Sequence, residues 1–326
     1  MSCEWGDKIF SVRETGFESL VLEVFNFQYQ QNPVYKQFVD GLLIDILKIQ
    51  SINQIPFLPI QFFKSHDIKS STFIPEIVFE SSGTTQTVNS RHLVRNIDLY
   101  EESFLIGFEQ MYGPVRDFCI LGLLPSYLER GNSSLVYMVA KLVNFSEHPE
   151  SGFYLYNEEA LAIKLALLES RQQKTLLIGV AYALLDFAEK FPMHLSSTII
   201  METGGMKGRK REMIRDEVHS ELMNAFGVLS IHAEYGMTEL LSQAYSKGNG
   251  LYRSPAWMKF IIREEDDPLT IHLTGTGVLN VIDLANIYSC AFIATDDAGK
   301  VYDDGSFEVL GRTDGSDLRG CSLMVL

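Results

Sequence analysis

Val78-Phe79-Glu80-Ser81-Ser82-Gly83-Thr84-Thr85-Gln86-Thr87 is an apolar run that stops abruptly at a hydroxyl-rich loop. Ile77 to Phe79 are β-favouring residues, whereas Ser81, Ser82, Thr84 and Thr85 carry hydroxyls around the conformationally permissive Gly83. Consecutive backbone N–H groups at such a turn can converge on an anion, and the hydroxyls can donate to phosphate oxygens or ligate a metal ion held on them. Gly83 is not followed by Gly-Lys-Ser/Thr, and the three-glycine dinucleotide fingerprint is missing, so neither the Walker loop nor that fingerprint applies. Alone, the stretch reads equally as an ordinary polar loop.

Tyr235-Gly236-Met237-Thr238-Glu239 shifts the balance. Five residues supply a stacking face, a glycine that lets the backbone approach a ligand, a hydroxyl and a carboxylate able to partner Mg²⁺. The two motifs together are far more specific than either one. Ser-Ser-Gly-Thr-Thr followed much later by Tyr-Gly-Met-Thr-Glu resembles the adenylate-forming enzymes, the superfamily of acyl-CoA synthetases, firefly luciferase, phenylacetate-CoA ligase and peptide-synthetase adenylation domains.

With 326 residues and 46% hydrophobic content the chain can bury a large core, as one large domain or two of ordinary size. Lys+Arg 27 against Asp+Glu 42 gives a net charge of -15, which disfavours coating nucleic acid. The basic cluster Lys207 to Arg211 reads first as a solvated helix start. Met1 to Asp7 is acidic where a secretory signal needs a basic region and an apolar run, so a cytoplasmic location is expected. The longest apolar stretch, Thr175 to Leu185, falls short of the roughly 20 residues of a membrane span. Cys3, Cys119, Cys290 and Cys321 are scattered without Cys-x-x-Cys or histidine at ligand spacing, which indicates neither zinc nor a disulfide framework.

Helical spacing of Phe17, Leu20, Val21, Val24 and Phe25 predicts a helix ended by Asn32-Pro33, with a second helix continuing through Ile46. Ile55 to Lys64 is too rich in proline for a helix and too apolar for a free loop, so extended packing beneath the Ser81 to Thr85 loop is expected. A helix over Arg91 to Met111 precedes the all-apolar run Phe118 to Leu124, which suits a strand buried on both faces. Helices over Ser133–Val143, Glu158–Gln172, Ala181–Lys190 and Lys210–Phe226 then alternate with strands at Phe153–Tyr156, Lys174–Ile178, Ser197–Glu202 and Leu229–Ala233. Repeated βα units predict an α/β fold, a mainly parallel doubly wound sheet with helices on both faces. Ligands of such sheets sit at the carboxyl ends of strands, where Ser81–Thr85, Thr203-Gly204-Gly205 and Tyr235–Glu239 could touch one molecule.

Beyond Tyr252 the predicted elements are strands: Trp257–Arg263, Leu269–Leu273, Val278–Asp283, Ala291–Thr295 and Phe307–Leu310, expected to form a smaller antiparallel subdomain. The division is an adenylation core over 1–255, a β-rich subdomain over 256–310, and a glycine-containing mobile segment over 311–326.

The resemblance implies roles position by position. Ser81, Ser82, Gly83, Thr84 and Thr85 would hold ATP phosphates, although Gln86 stands where the family usually has glycine. Gly204 and Gly205 would flank the adenine, Tyr235 stack on it, Gly236 allow close approach, Thr238 contact phosphate, and Glu239 bind Mg²⁺. Asp283, in Val281-Ile282-Asp283-Leu284-Ala285-Asn286, would take the ribose hydroxyls. Arg312, in Gly311-Arg312-Thr313-Asp314, would also reach the ribose, with Asp314 as a hinge. Ordinary acyl-CoA synthetases continue into a lobe with an adenylation lysine, and Arg312, Lys64 or a partner's side chain could replace it. The chain's extent, with Leu58–Lys64, Pro125–Arg130 and Asp317–Cys321, resembles the acyl-protein synthetase family of bacterial bioluminescence operons. That family implies Cys321 as acyl acceptor and a long-chain fatty acid as substrate.

A thiol suits attack on an acyl adenylate, and Arg319 would favour the thiolate of Cys321. A surface or packed thiol is the plain alternative, and Cys119 and Cys290 lie in apolar runs that make them core residues. His232 is either a contact for the acyl carboxylate or a satisfied strand-end histidine, while Tyr127 and Arg130 either wall the acyl pocket or cap and pack. The expected function is ATP- and Mg²⁺-dependent formation of acyl-AMP and transfer to Cys321, for onward delivery to a reductase, transferase or carrier protein. Delivery to coenzyme A or a carrier, and a non-catalytic nucleotide- or acyl-binding subunit, are the two other readings.

Overall fold

The computed structural model describes residues 4–81, 88–124, 131–204 and 213–313. Its centre is a run of buried parallel strands, Cys119–Leu123, Thr175–Gly179, Thr198–Thr203 and His232–Tyr235, hydrogen-bonded side by side in that order with the short Gly152–Phe153 at the edge. Alternation divides their side chains between two layers. Leu121, Leu177 and Ile200 pack against helices Glu158–Ser170, Ala181–Lys190 and Arg215–Phe226. Ile120, Ile178 and Met201 face the opposite layer, where helices Ile97–Tyr112 and Ser134–Ser146 supply Phe104, Phe108 and Met138.

The antiparallel strands continue the same hydrogen-bonded path. Ala244–Ser246 pairs antiparallel with His232–Tyr235, followed by Leu251–Arg253, Phe307–Arg312, Phe292–Val301, Gly275–Asp283, Met258–Arg263 and Ile271–His272. Helix Glu14–Gln31 presents Phe17, Leu20, Val21, Val24, Phe25 and Gln28 at helical spacing to this half. Phe25, Tyr35 and Phe57 surround the ring of Phe292 with centroids 6.0–6.3 Å away.

Local chemistry sets several element boundaries. Asn32 accepts the Tyr35 N–H at 3.0 Å and, with Pro33 at the first helical position, ends one helix and starts the next, Pro33–Gly41. That second helix is shorter than expected, and a separate 3₁₀ turn at Ile46–Lys48 follows it. Asn96 accepts the Asp98 N–H at 2.9 Å and so splits the expected Arg91–Met111 helix. Arg91–Val94 is instead a strand paired with Ile77–Glu80, because His92, Leu93 and Val94 bury themselves in that hairpin. Leu58–Pro59 is extended, paired with Phe292–Val301, but Phe62–Ser65 turns helical and sets Phe63 edge-on to His92 at 5.8 Å. The expected strand at Leu229 begins only at His232, and Leu229 is fully exposed.

Gln28 is the polar tie between the first long helix and the antiparallel half. Its side-chain amide donates to the carbonyls of Asn286 and Ile287, both at 2.9 Å, and its oxygen accepts the Ala291 N–H at 2.9 Å, with no exposure to solvent. Gln28→Leu strands those backbone groups in an apolar environment. The expected cost is about 3 kcal/mol of unfolding free energy in a urea titration, and a change within 0.5 kcal/mol, roughly the spread of surface substitutions, would contradict the assignment.

Candidate active site

Strand His232–Tyr235 leads into the Tyr235-Gly236-Met237-Thr238-Glu239 turn at its carboxyl end. Thr203 lies in register with Glu234 on the neighbouring strand, so Gly204, at φ 63, begins its turn beside the motif. A positive φ at an exposed position is readily adopted only by glycine. Gly205 lies outside the described residues, as do Ser82, Gly83, Thr84 and Thr85.

Ser81 closes the base of the hydroxyl-rich loop, its oxygen accepting the Ser90 N–H at 2.9 Å. The chain returns through His92, which is 1% exposed and bonded through Nδ1 to the Thr238 carbonyl at 2.8 Å. One hydrogen bond therefore connects the hairpin beneath the loop to the second motif. Burial pushes the His92 imidazole down to about 4, more than the Thr238 carbonyl raises it, so the ring is neutral near pH 7.

Beyond Thr238, the Glu239 side chain is wholly buried, and neither carboxylate oxygen has a hydrogen-bond partner among the described residues. A buried, unpaired carboxylate is costly, and a divalent cation would satisfy it. The residue present therefore fits a Mg²⁺ ligand, although no cluster of three or more potential metal ligands occurs among the described residues.

Tyr235 points to the other face of its strand, among Tyr252, Phe260 and Phe307, and donates its hydroxyl to Asp297 Oδ2 at 2.7 Å. Asp297 Oδ1 lies 3.3 Å from Arg312 Nε, both side chains largely buried. Burial, then the Asp297 charge, holds the Tyr235 phenol well above its ordinary range. These residues make a hydroxyl, carboxylate and guanidinium cluster next to the motif. Thr313 donates its N–H to the Asp296 carbonyl at 3.0 Å and fixes the chain just past Arg312.

Asp283 does not belong to that cluster. It is completely buried, and accepts the N–H groups of Leu241 and Ser242 at 2.8 and 3.0 Å, the Ser242 hydroxyl at 2.6 Å and the Ala285 N–H at 3.2 Å. All four donors belong to the interior, so Asp283 stands apart from Tyr235 and Arg312, with which the sequence reading had grouped it. Burial raises its carboxyl to about 6, with the four hydrogen bonds acting in the opposite direction. Asp297 is the acidic residue that the geometry brings beside Tyr235 and Arg312. Its sequence signal was Thr295-Asp296-Asp297, two carboxylates inside an apolar β-run.

On the opposite face of the strand, Thr203 donates its hydroxyl to Glu234 Oε2, and Glu234 is in register with Tyr245. Burial raises the Glu234 carboxyl to about 7, helped by Glu202 and opposed by the Thr203 bond. His232, at the far end of the strand, lies 3.2 Å through Nδ1 from the Tyr112 hydroxyl. Burial and then Lys247 lower its imidazole to about 4, which makes it a weak base at neutral pH. Cys119 and Cys290 are buried free thiols, whereas Cys321, Tyr127 and Arg130 lie outside the described residues.

These features define the class: a mixed sheet with Gly204 and the Tyr235 to Glu239 turn at the carboxyl ends of neighbouring parallel strands, and the Ser81 hairpin tied to that turn through His92, as in adenylate-forming ligases. ATP-bound MatB from Rhodopseudomonas palustris superposes with a TM-score of 0.55 at 14% identity over 74% of this chain and 49% of that one. 2-Hydroxyisobutyryl-CoA ligase in the postadenylation state with R3-HIB-AMP gives 0.65 at 9% identity, over 94% and 70% respectively. The chain thus spans about half the length of MatB, and at these identities the likeness is one of fold. The family model described as acyl-protein synthetase, LuxE, matches residues 9–326, and the chain belongs to that family. No curated protein matches it significantly. Among the described residues no helix is long and apolar enough to cross a membrane.

The depressed imidazoles have a definite sign. The unfolded chain takes up protons from about pH 6.5 downward, the folded chain only near 4, so His92 and His232 withdraw stability as pH falls through that window. Imidazole nitrogen NMR shifts should report both rings neutral at pH 6, and a protonated ring there would contradict the described packing.

Proposed function

We propose that the protein activates an aliphatic carboxylic acid, a long-chain fatty acid by its family, with ATP in the cytoplasm, and carries the acyl group on Cys321. The substrate carboxylate oxygen attacks the α-phosphorus, the bond from that phosphorus to the bridging oxygen breaks, and pyrophosphate leaves. The Cys321 thiolate then attacks the acyl carbon, and the carbon–oxygen bond breaks with its electron pair leaving on AMP. The thiol proton passes to solvent or a nearby base. The thioester would serve an acyl-accepting protein.

The observation that carries this reading is the Tyr235, Asp297 and Arg312 cluster beside a motif that ends in a buried, unpaired Glu239. Asp297 suits the ribose hydroxyls, and Arg312 Nε, 3.3 Å from its Oδ1, orients that carboxylate. Tyr235 offers the nucleotide an aromatic wall whose tilt is fixed by its bond to Asp297. Glu239 would hold Mg²⁺, which supplies charge neutralisation on the phosphates when bound. Ser82, Gly83, Thr84 and Thr85 would cradle those phosphates, with Ser81 closing the base of the hairpin on Ser90 and His92 tying the hairpin to Thr238. Gly204 and Gly205 would lie along the adenine.

Two measurements test the reading. The protein, ATP and a radiolabelled fatty acid should give hydroxylamine-sensitive label on the chain that disappears in Cys321→Ser, while acid-dependent ATP–pyrophosphate exchange persists. Label found only on added coenzyme A or carrier protein would remove the self-acylation step, and ATP binding without exchange would leave a non-catalytic subunit. Asp297→Asn should raise KM for ATP by about 10-fold or more, as loss of a charge-assisted hydrogen bond implies, with the acid's KM little changed.

A further inference from the structure

The nucleotide cluster uses one face of strand His232–Tyr235, and the other face carries polar groups to which it assigns nothing. Thr203, Glu234 and Tyr245 stand in one row across three adjacent strands, under helix Ile97–Tyr112. Glu234 is 8% exposed, and Thr203 bonds only its Oε2. A Cβ on Gly236 would collide with the other oxygen, Oε1, and press on Gln243. Gly236 is itself exposed, so this carboxylate oxygen lies directly beside a bare stretch of surface backbone.

Two further groups beside it are without partners among the described residues. The Tyr245 hydroxyl, on a residue 3% exposed, and Gln243 Oε1, on a residue 6% exposed, make no hydrogen bond. The Gln243 side chain lies against Tyr100, whose hydroxyl donates to the Ser134 carbonyl at 3.0 Å. Tyr100, Tyr112 and Tyr245 all sense the Glu234 charge, so the groups share one small volume. Buried polar atoms at a closed packing interface are normally paired. A wall for a plain hydrocarbon chain would also be apolar, since an unpaired hydroxyl and amide oxygen facing methylenes are left unsatisfied.

We infer that Glu234, Gln243 and Tyr245 form a specificity wall for a hydrogen-bonding substituent, a hydroxyl or an amine, on the first carbons beyond the carboxyl group of the acid. The inference rests on the ligase reading above and narrows its substrate class. Both substituents share the chemistry this wall offers. A neutral Glu234 carboxyl can exchange hydrogen bonds with a hydroxyl, and an ionised one can pair with an ammonium group. Gln243 Oε1 accepts from either, and Tyr245 can donate to a hydroxyl oxygen. A site built to bond such a group discriminates strongly against an acid that lacks it, because its own polar atoms are then stranded.

The test uses the full chain in acid-dependent ATP–pyrophosphate exchange with octanoate and its 2-hydroxy, 3-hydroxy and 3-amino derivatives. At least one substituted acid should exceed octanoate in kcat/KM by about 10-fold or more, and which one does separates hydroxyl from amine recognition. In Tyr245→Phe, which removes one oxygen, and in Glu234→Leu, that preference should fall several-fold, with the folded state checked by thermal melting. Octanoate used as efficiently as every substituted acid would overturn the wall alone and leave the ligase reading intact. So would a preference unchanged in folded Tyr245→Phe. Exchange with none of the acids, and with no other carboxylate, would overturn the ligase reading and the wall with it.

Discussion

The turn that carries the second motif depends on one buried carboxylate. Asp283, at the end of strand Gly275–Asp283, takes the backbone N–H groups of Leu241 and Ser242 together with the Ser242 hydroxyl. The chain between Tyr235 and Ala244 reverses direction there, passing from the parallel part of the sheet to the antiparallel part. The Asn286 side-chain amide adds a bond to the Glu239 carbonyl at 2.8 Å, and Trp257 Nε1 donates to Ser242 Oγ at 2.9 Å. Without those ties, nothing would oblige the Tyr-Gly-Met-Thr-Glu turn to keep Glu239 buried and Gly236 open. Desolvating a carboxylate is offset when four donors converge on it, and the rigidity so gained is passed to the motif.

That role also explains an error in reading the sequence. Val281-Ile282-Asp283 looks like a strand delivering an acid to a ligand, because an acidic residue at a strand end is the usual place for a contact. The same local pattern serves equally well for an internal cap, and only the register of the antiparallel strands separates the two. Asp297 had the opposite problem. The strand was expected to stop at Thr295, whereas it runs on to Val301, with Asp297 paired in register with Arg312. A carboxylate in a β-run looks unfavourable until its cross-strand partner is known, and that partner is 15 positions away in the register 297↔312.

Much else was legible for physical reasons. The parallel strands are short runs buried on both faces, where apolar side chains predominate, so Cys119–Leu123 and Thr175–Gly179 announced themselves. Helix Ala181–Lys190 was bounded by the polar or glycine-containing breaks around it. The hairpin at Arg91–Val94 was harder, since a four-residue strand and the helix after it merge into one apolar window unless Asn96 is read as a cap. Leu58–Pro59 was legible as extended from its prolines, but a segment of two residues carries too little pattern to name its partner strand, Phe292–Val301.

The strand period has a chemical consequence at the centre of the molecule. Tyr235 and Glu234 are adjacent, so their side chains leave opposite faces of the same strand. One face belongs to Asp297, Arg312 and the aromatic group around Phe307, the other to Thr203, Gln243 and the tyrosines of helix Ile97–Tyr112. A reaction that joins a carboxylate to a nucleotide needs two molecules brought together from different sides and held apart elsewhere. Here the backbone of one interior strand, paired on both sides, keeps the two sets of side chains apart. Gly236, the next residue, is where the two faces end, and it has no side chain to separate them. In this arrangement Tyr235 and Glu234 cannot exchange places, and inserting or deleting one residue in the strand would turn the Tyr235 side chain to the Thr203 face.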